Sequence, residues 1–505
     1  MISNIGTWMQ NAAAGWLMTG LNPDPLIVAL VQAATTLPMF LFGIPAGALA
    51  DILDRRKLLI VVQIALTVLI VGFSLLVWSN RVSPVVLLVF TFLTGVGAAL
   101  IAPAWQSIVP QLVPREELSP AVAANSVGIN VSRAVGPALA GLFIGLLGLA
   151  APFWINALSN LGVIAALIWW RPSEGAEHRL PPERFGSAMV VGLRHARRNP
   201  HLRSTLIRSV GFFVFASAYW ALLPLVARLQ INGGPALYGI LLGAIGASAV
   251  VGALMLPVVK KRLGADGLAA AGIVGTAAAL VLFGLAREPL TALAASFVAG
   301  LSWIAVLATI NVSAQVGLPA WVRGRGLALF VTVQFGSMSL GSMVWGQLAS
   351  HIGLPAVHLV AAAALLAALL LLRSWKLQTG EGADLTPSMH WPTPVVAHDI
   401  EGDRGPVLVT VEYRIDAADR EPFLQALTKL SDQRRRDGAF DWSVFEDAAA
   451  PGRFVETFLI ASWLEHLRQH DRVTQEGRML QETVQAFHRG QSSPSVSHLI
   501  MVERA

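Results

Sequence analysis

Residues 47–58 read GALADILDRRKL, and residues 252–263, 205 positions further on, read GALMLPVVKKRL. Gly, Ala, Leu and the closing Leu coincide, and three basic residues fall on three. The same register, without a gap, pairs Pro84 with Pro289, Gly95 with Gly300, Pro114 with Pro319, Gly136 with Gly341, Gly141 with Gly346 and Gly148 with Gly353. Chance agreement in an apolar sequence is the competing explanation; the matched basic triplet and loop prolines weigh against it. Glycine and proline recur together when two halves need the same close helix contacts and the same turns.

The surroundings of these motifs are apolar. Hydrophobic residues make up 55% of the 505 and charged residues 13%, about half the charged share of an ordinary soluble protein, and the mean hydropathy is +0.62. Runs such as 58–78, 84–104, 134–170 and 353–372 are long enough to cross a hydrocarbon core of about 30 Å once, or twice with a turn. The pattern predicts an all-α membrane protein of twelve helices, near 4–21, 26–47, 58–78, 84–108, 120–146, 150–170, 204–228, 236–258, 267–286, 290–312, 326–349 and 353–373. They form two six-helix repeats, 1–170 and 204–375, around a central loop, 171–203. The first span begins abruptly with ISNIGTWMQNAAAGW, which reads as the second half of a helix, so a start upstream of Met1 is expected.

Charge divides the chain. Residues 395–505 hold 13 Lys+Arg and 18 Asp+Glu, against 36 and 30 in the whole sequence, so this segment is acidic and the remainder strongly basic. The basic residues sit between spans, where they read as topology signals rather than nucleic-acid contacts. DRRK (54–57), Arg115, the Arg-rich segment 171–203, KKR (260–262), Arg323, Arg325, Arg373 and Lys376 mark one side; Arg81, Arg228 and Arg287 are nearly all the other side offers. The positive-inside rule makes the first side cytoplasmic, in the inner membrane of a bacterium, with the C-terminal segment on that side. With no cysteine there is neither a disulfide framework nor a thiolate site. The histidines are read as scattered, no metal or other cofactor is expected, and no Walker motif is present for direct ATP drive.

GALADILDRRKLL resembles the loop signature between the second and third helices of the major facilitator superfamily, and AVGPALAG (134–141) the Gly-Pro motif of its drug exporters. SNIGTWMQNAAAGWLM, followed by LPMFLFGIPAGALADILDRR, is similar to the transmembrane secretion effector branch, which includes the enterobactin exporter. The resemblance covers residues 1–375. It implies a twelve-helix major facilitator fold and a gating latch at Gly47, Asp51, Arg55 and Arg56. There Gly47 would let helices approach and Asp51 would exchange partners as the halves rock; the alternative is that the arginines only fix topology and meet anionic lipid. The second copy has Leu256 in place of Asp51, so a latch would be asymmetric. Two departures stand out: Thr91 lies where such exporters carry an arginine in the fourth helix, and the Gly-Pro motif ends in Ala-Gly rather than Gly-Gly.

INVSRAVGPALAGLFIG (129–145) places one arginine inside a span. A charge near the bilayer centre costs about 2.5–3.5 kcal/mol on insertion scales and should face the bundle interior. Ser126, Asn130, Arg133 and Pro137 fall at i, i+4, i+7 and i+11, one stripe along one face. Gly136, Pro137 and Gly141 are expected to bend the helix there. Arg133 either binds a polar or anionic substrate group or tunes proton coupling, or it pins carbonyls freed by Pro137. Gln10, Tyr219, Trp220, Trp303, Asn311 and Gln334 extend the candidate substrate cavity; each is equally readable as a helix–helix hydrogen bond or an interfacial anchor. No Asp or Glu falls in mid-span, so proton coupling would use Asp24, Asp51, a loop carboxylate, His358 or a residue upstream.

After a linker (376–394) rich in Gly, Pro and polar residues, residues 395–505 read as strand 407–414, helix 419–436, strands 440–447 and 453–461, helix 462–470 resuming at 473–488, and strand 496–503. That βαββαβ order predicts an α+β ferredoxin-like domain. PVLVTVEYRI, FVETFLIASWLEHLRQH and SHLIMVE resemble the antibiotic-biosynthesis-monooxygenase-like domains, which pair as dimers. The sequence thus predicts a secondary exporter of amphipathic small molecules, drug-like or siderophore-like, working by alternating access with proton coupling, and a homodimer contact through its tail. The rival is a membrane-tethered, cofactor-independent monooxygenase-like enzyme using Trp463, His466 and His470, with the helices as its substrate channel. A third reading is a non-transporting membrane sensor.

Overall fold

The computed structural model describes residues 1–108, 112–114, 117–170, 199–377, 388, 391 and 404–502. Arg115, most of the central segment and most of the linker lie outside the described residues, as do the side chains of Asp51 and Ser126. Two compact units emerge. Residues 1–180, 204–312 and 328–377 form the first; residues 181–203, 313–327 and 378–505 form the second.

Twelve helices precede the tail among the described residues. In the first half they are α1 (Ile2–Leu21), α2 (Pro25–Ile52), α3 (Arg55–Trp78), α4 (Pro84–Ile108), α5 (Leu118–Leu147) and α6 (Ala151–Trp169). In the second, α7 (Pro200–Leu225) runs into a π turn, Val226–Gln230. The helical stretch Pro235–Leu285 changes direction at Gly264, φ +68°, and so comprises α8 (235–263) and α9 (265–285). The loop expected between 258 and 267 is therefore a single glycine: Lys260, Lys261 and Arg262 continue α8, and the break falls where a left-handed φ needs no Cβ. Then come α10 (Pro289–Val316), α11 (Ala320–Ile352) and α12 (Leu354–Leu371). Prolines open α2, α4, α7, α8 and α10, since the first turn has no use for the missing N–H.

Ten of these runs, counting Pro235–Leu285 once, are long and apolar enough to cross a membrane. The helix α1 is not among them, and packing explains its composition. Met9, Gln10, Ala12–Ala14 and Trp16–Thr19 are buried, so neighbouring helices rather than lipid surround it. Helix α3 starts three residues earlier than expected, because the Asp54 carboxylate accepts from the Lys57 backbone N–H at 3.0 Å and caps it.

The 205-residue register has a structural meaning at each glycine. A Cβ on Gly136 would lie 2.6 Å from Trp8 and 2.9 Å from the Ile5 carbonyl of α1. One on Gly341 would collide with the Val214 carbonyl and Ser217 of α7. A Cβ on Gly141 would lie 2.6 Å from the Pro235 carbonyl and 3.0 Å from Ala236 Cα, at the start of α8; on Gly346 it would lie 3.1 Å from the Pro25 carbonyl and 3.1 Å from Leu26 Cα, at the start of α2. Gly148 and Gly353 end α5 and α11 with φ of +89° and +81°. The two halves therefore join through α5 on α8 and α11 on α2, two contacts built alike.

In the second unit the tail strands are β1 (Val407–Arg414), β2 (Phe440–Glu446), β3 (Arg453–Ile460) and β4 (Ser495–Ile500), with α13 (Arg420–Arg436), α14 (Trp463–Arg472) and α15 (Gln475–Gln485). The sheet order is β2-β3-β1-β4 with every pair antiparallel, the ferredoxin-like arrangement expected from the βαββαβ order. Alternation sets its inner face: Val407, Val409, Val411 and Tyr413 of β1 and Phe454, Phe458 and Ile460 of β3 are buried, with Phe423, Leu427 and Leu430 of α13 in the core. Glu456 shares that inner phase and is fully buried. Its carboxylate accepts from Trp442 Nε1 at 2.8 Å and from the Tyr413 hydroxyl at 3.1 Å, and it lies 2.7 Å from Arg434 Nε. Four matched groups remove the penalty that a lone buried carboxylate would carry. Burial, with the Glu456 charge beside it, pushes the Tyr413 phenol up.

Candidate functional site: Arg133 at the junction of the halves

Ala134 of α5 packs so closely on α8 that a Cβ at Gly246 would lie 2.5 Å from its Cα. This contact holds the preceding residue, Arg133, at the junction. Its side chain is half-buried, the guanidinium lies over the Trp8 ring of α1 at 5.1 Å, and Nε is buried with no hydrogen-bond partner. Trp8 was not among the sequence candidates, although a cation over an indole face is a favourable arrangement in a desolvated place. No hydrogen bond from Arg133 to a carbonyl occurs among the described residues, so the pin expected at Pro137 is not formed here. Close by, α5 and α8 touch again, where a Cβ on Gly239 would lie 2.6 Å from the Pro137 carbonyl.

Across the junction stand the candidates of the second half. Tyr219 is fully buried and lies within electrostatic range of Arg133. Its ring sits 5.5 Å from Trp220 and 6.5 Å from Trp303, and Trp220 and Trp303 are 5.4 Å apart. The Tyr219 hydroxyl and the Trp220 indole N–H, both buried, have only each other as partners, and the Trp303 indole N–H is buried without one. Buried polar atoms are normally fully paired, and the Trp303 N–H and Arg133 Nε, beside the Tyr219–Trp220 pair, leave unused donors at the junction. The structure thus brings together Arg133, Tyr219, Trp220 and Trp303.

The other candidates go elsewhere. Gln10 accepts from Asn156 Nδ2 at 2.7 Å, a buried bond that ties α1 to α6. Asn311 donates to the Leu307 carbonyl of its own helix at 2.9 Å. Asn130 and Gln334 are half-buried on α5 and α11. Asp24 caps α2, accepting from the Leu26 and Ile27 N–H groups, and His358 is buried with Nδ1 2.7 Å from the Leu354 carbonyl.

In the latch segment, Arg56 reaches the last carbonyls of α6, with Nε 2.7 Å from that of Leu167 and Nη2 2.6 Å from that of Ile168, while Arg55 Nε donates to the Ala50 carbonyl. A cation on a helix C-terminus is well placed. Gly47 corrects the expectation of a close helix approach: among the described residues nothing lies within 4 Å of where its Cβ would be.

At the end of the bundle where α1 stops and α2 starts, the halves meet through polar and aromatic groups of which the sequence singled out only Asp24, for proton coupling, and Arg228, for topology. Arg228 Nη1 donates to the Thr19 hydroxyl at 3.1 Å and the guanidinium lies 5.3 Å over Trp16, whose ring stacks on Tyr238 at 5.9 Å. The Ser350 hydroxyl donates to Asp24 at 3.3 Å.

Two six-helix repeats joined through matched glycine contacts, with a polar and aromatic set at the junction, define a membrane transporter of the major facilitator type. The chain belongs to the transmembrane secretion effector family, whose sequence model matches residues 1–505. It is similar to the staphyloferrin A transporter of Staphylococcus aureus (24% identity over 267 residues, 52% of this chain and 65% of that protein). It is also similar to the multidrug efflux pump Tap of Mycolicibacterium fortuitum (26% over 377 residues, 71% and 89%) and to macrolide efflux protein A of Streptococcus pyogenes (24% over 266 residues, 50% and 63%). The first and third alignments span just under two thirds of those proteins. Among solved structures, the fold matches a peptide transporter POT (TM-score 0.60, 12% identity, 74% of this chain and 91% of that one). It also matches a bacterial homologue of the human lysosomal transporter Spinster, in an inward-facing and unoccupied conformation (TM-score 0.55, 15%, 74% and 94%). The chain is accordingly a multi-pass membrane protein of a transporter family, not of an enzyme family.

Proposed function

We propose that this transporter exports amphipathic small molecules, drug-like or siderophore-like, from the cytoplasm by alternating access, with Arg133 and the aromatic and polar groups of Tyr219, Trp220 and Trp303 as the substrate contact. The unpartnered Arg133 Nε over Trp8, facing Tyr219 of the other half, carries this reading: a charge costly to keep in a bilayer is held where either half can present a ligand to it. The efflux roles named for similar proteins agree with the direction. Basic loops put the α1–α2 end outside, so the Arg228–Trp16–Tyr238 and Asp24–Ser350 contacts would close the extracytoplasmic side of an inward-facing state. Asp24 is the acid nearest that closure and our choice for proton coupling, and the ferredoxin-like tail lies in the cytoplasm. The half-exposed sheet-face residues Leu408, Val455 and Leu459, with exposed Leu499, are offered for pairing with a second copy.

Efflux of a panel of fluorescent amphipathic dyes from expressing cells, with and without protonophore, tests the reading. Arg133→Met is expected to cut efflux about 100-fold at unchanged membrane level, and Arg133→Lys to restore part of it, since a point charge lacks the planar fork. Wild-type efflux by Arg133→Met would end the assignment.

A further inference from the structure

His466 and His470 stand one turn apart on α14, and β4 brings a third imidazole to them. His498 pairs with Val409 of β1, and cross-strand partners project to the same face; Val409 is buried in the core, so His498 turns inward towards α14. The ring of His466 lies 4.8 Å from that of His470 and 4.5 Å from that of His498, and the Nε2 atoms of His466 and His470 are 3.2 Å apart. One ligand nitrogen from each residue can be chosen so that all lie within 4.8 Å of one another.

From this geometry we propose that His466, His470 and His498 form a binding site for one divalent first-row transition metal ion in the tail. Ligand bonds of about 2.0–2.1 Å in a tetrahedral site put ligand nitrogens roughly 3.3–3.4 Å apart, and the His466–His470 pair already has that spacing. Three imidazoles, with no thiolate or free carboxylate beside them among the described residues, favour zinc, cobalt, nickel or copper over magnesium or calcium. The neighbouring carboxylate, Glu465, is bonded to Arg468 at 2.9 Å.

The surroundings favour a ligand over a merely packed cluster. His466 is buried, and Gln469, three residues on and fully buried, has no hydrogen-bond partner but the His466 ring. When Nε2 of His466 binds the ion, Nδ1 carries the proton and needs an acceptor, a place that Gln469 Oε1 would fill and that supporting groups fill in known sites. Trp463, its ring 5.4 Å from His466 and 6.1 Å from His498, walls one side.

The test uses the full chain in detergent with any affinity tag removed. Titration with Co²⁺ at neutral pH should give one visible absorption change saturating at one ion per chain, displaced by Zn²⁺. His470→Gln and His498→Gln should each weaken binding by about 100-fold or more, since loss even of a residue supporting a ligand costs about 10–100-fold, with far-ultraviolet circular dichroism unchanged. His466→Gln should do the same, but its ring is in the core, so the other two variants decide. A wild-type chain that takes up no Co²⁺, or variants that bind it as wild type does, would overturn the site and leave the three rings as packing.

Discussion

Gly136 lets α5 lie against Ile5 and Trp8 of the first half, and Gly341, 205 positions on, lets α11 lie against Val214 and Ser217 of the second. Yet three residues before each glycine the halves diverge: Arg133 in the first, buried Met338 in the second. The same contrast runs along the opposing helices. Tyr219, Trp220 and Trp303 have Ala14, Gly15 and Ala98 as their counterparts in the first half. Helix joints have been kept twofold while the groups at the junction have been made one-sided, a cation from one half and aromatic donors from the other. A duplicated scaffold needs equal joints to rock, but a ligand that is not itself symmetric needs unequal contacts.

Equal joints can be broken one at a time. Gly141→Ala would drive a Cβ into the Pro235 carbonyl, and Gly346→Ala would put one 3.1 Å from both Leu26 Cα and the Pro25 carbonyl. Backbone cannot swing aside as a side chain does, so each should cost about 1–3 kcal/mol, the range for overpacking. Thermal unfolding in detergent should show similar losses for the two. A large loss at one and none at the other would mean that the α5–α8 and α11–α2 joints are not equivalent.

The closure at the α1–α2 end sharpens the comparison, because its two sides are unequal. Arg228 contributes a hydrogen bond to Thr19 and a cation over Trp16, while its partner contact is two long bonds at Ser350, one given to Asp24 and one accepted from the Leu26 N–H. A partly desolvated cation–aromatic contact is worth about 0.5–2 kcal/mol. Arg228→Gln should therefore open that end more often, by roughly 2- to 30-fold in population, and Ser350→Ala much less. The chain has no cysteine, so single cysteines placed beside Thr19 and read by labelling rate measure this directly. Equal effects of the two variants would make the closure as symmetric as the joints.

Residue type carried the joints and turns into the sequence, because a close backbone approach or a positive φ is met best by glycine and a helix start tolerates proline; hence Gly148 and Gly353 were legible. The polar contacts were not. Gln10 could have lined a cavity or bonded a neighbour, and only the rotation of α1 against α6 turned it to Asn156. Arg228 read as a stray loop cation because a π turn extends α7 through it. In the tail the signals were present and unread. Phe454, Glu456 and Phe458 alternate on one strand face, which marks Glu456 as buried, and His466 and His470 keep one helical turn, but His498 joins them only through strand pairing that a linear reading does not supply.

The smallest expected effect lies at the twin motifs themselves. Gly47 and Gly252 open the same GAL sequence, yet a Cβ on Gly252 would lie 2.6 Å from Ile304 of α10, while Gly47 faces open space. Gly252→Ala should lower stability modestly, because the Ile304 atom it meets is the Cγ2 methyl, which yields only by a change of χ1 or a small shift of α10. Gly47→Ala should lower nothing, and within α2 it gains up to about 0.5–1 kcal/mol from the reduced freedom of the unfolded chain. Efflux by Gly47→Ala then separates two ideas that stability alone leaves joined. Unchanged efflux makes the basic loop at 55–57 a topology signal and a cap for α6. Efflux lost at wild-type stability places a close approach at Gly47 in the other state of the cycle, where the latch would form in the first half and, for want of an acid at Leu256, have no twin in the second.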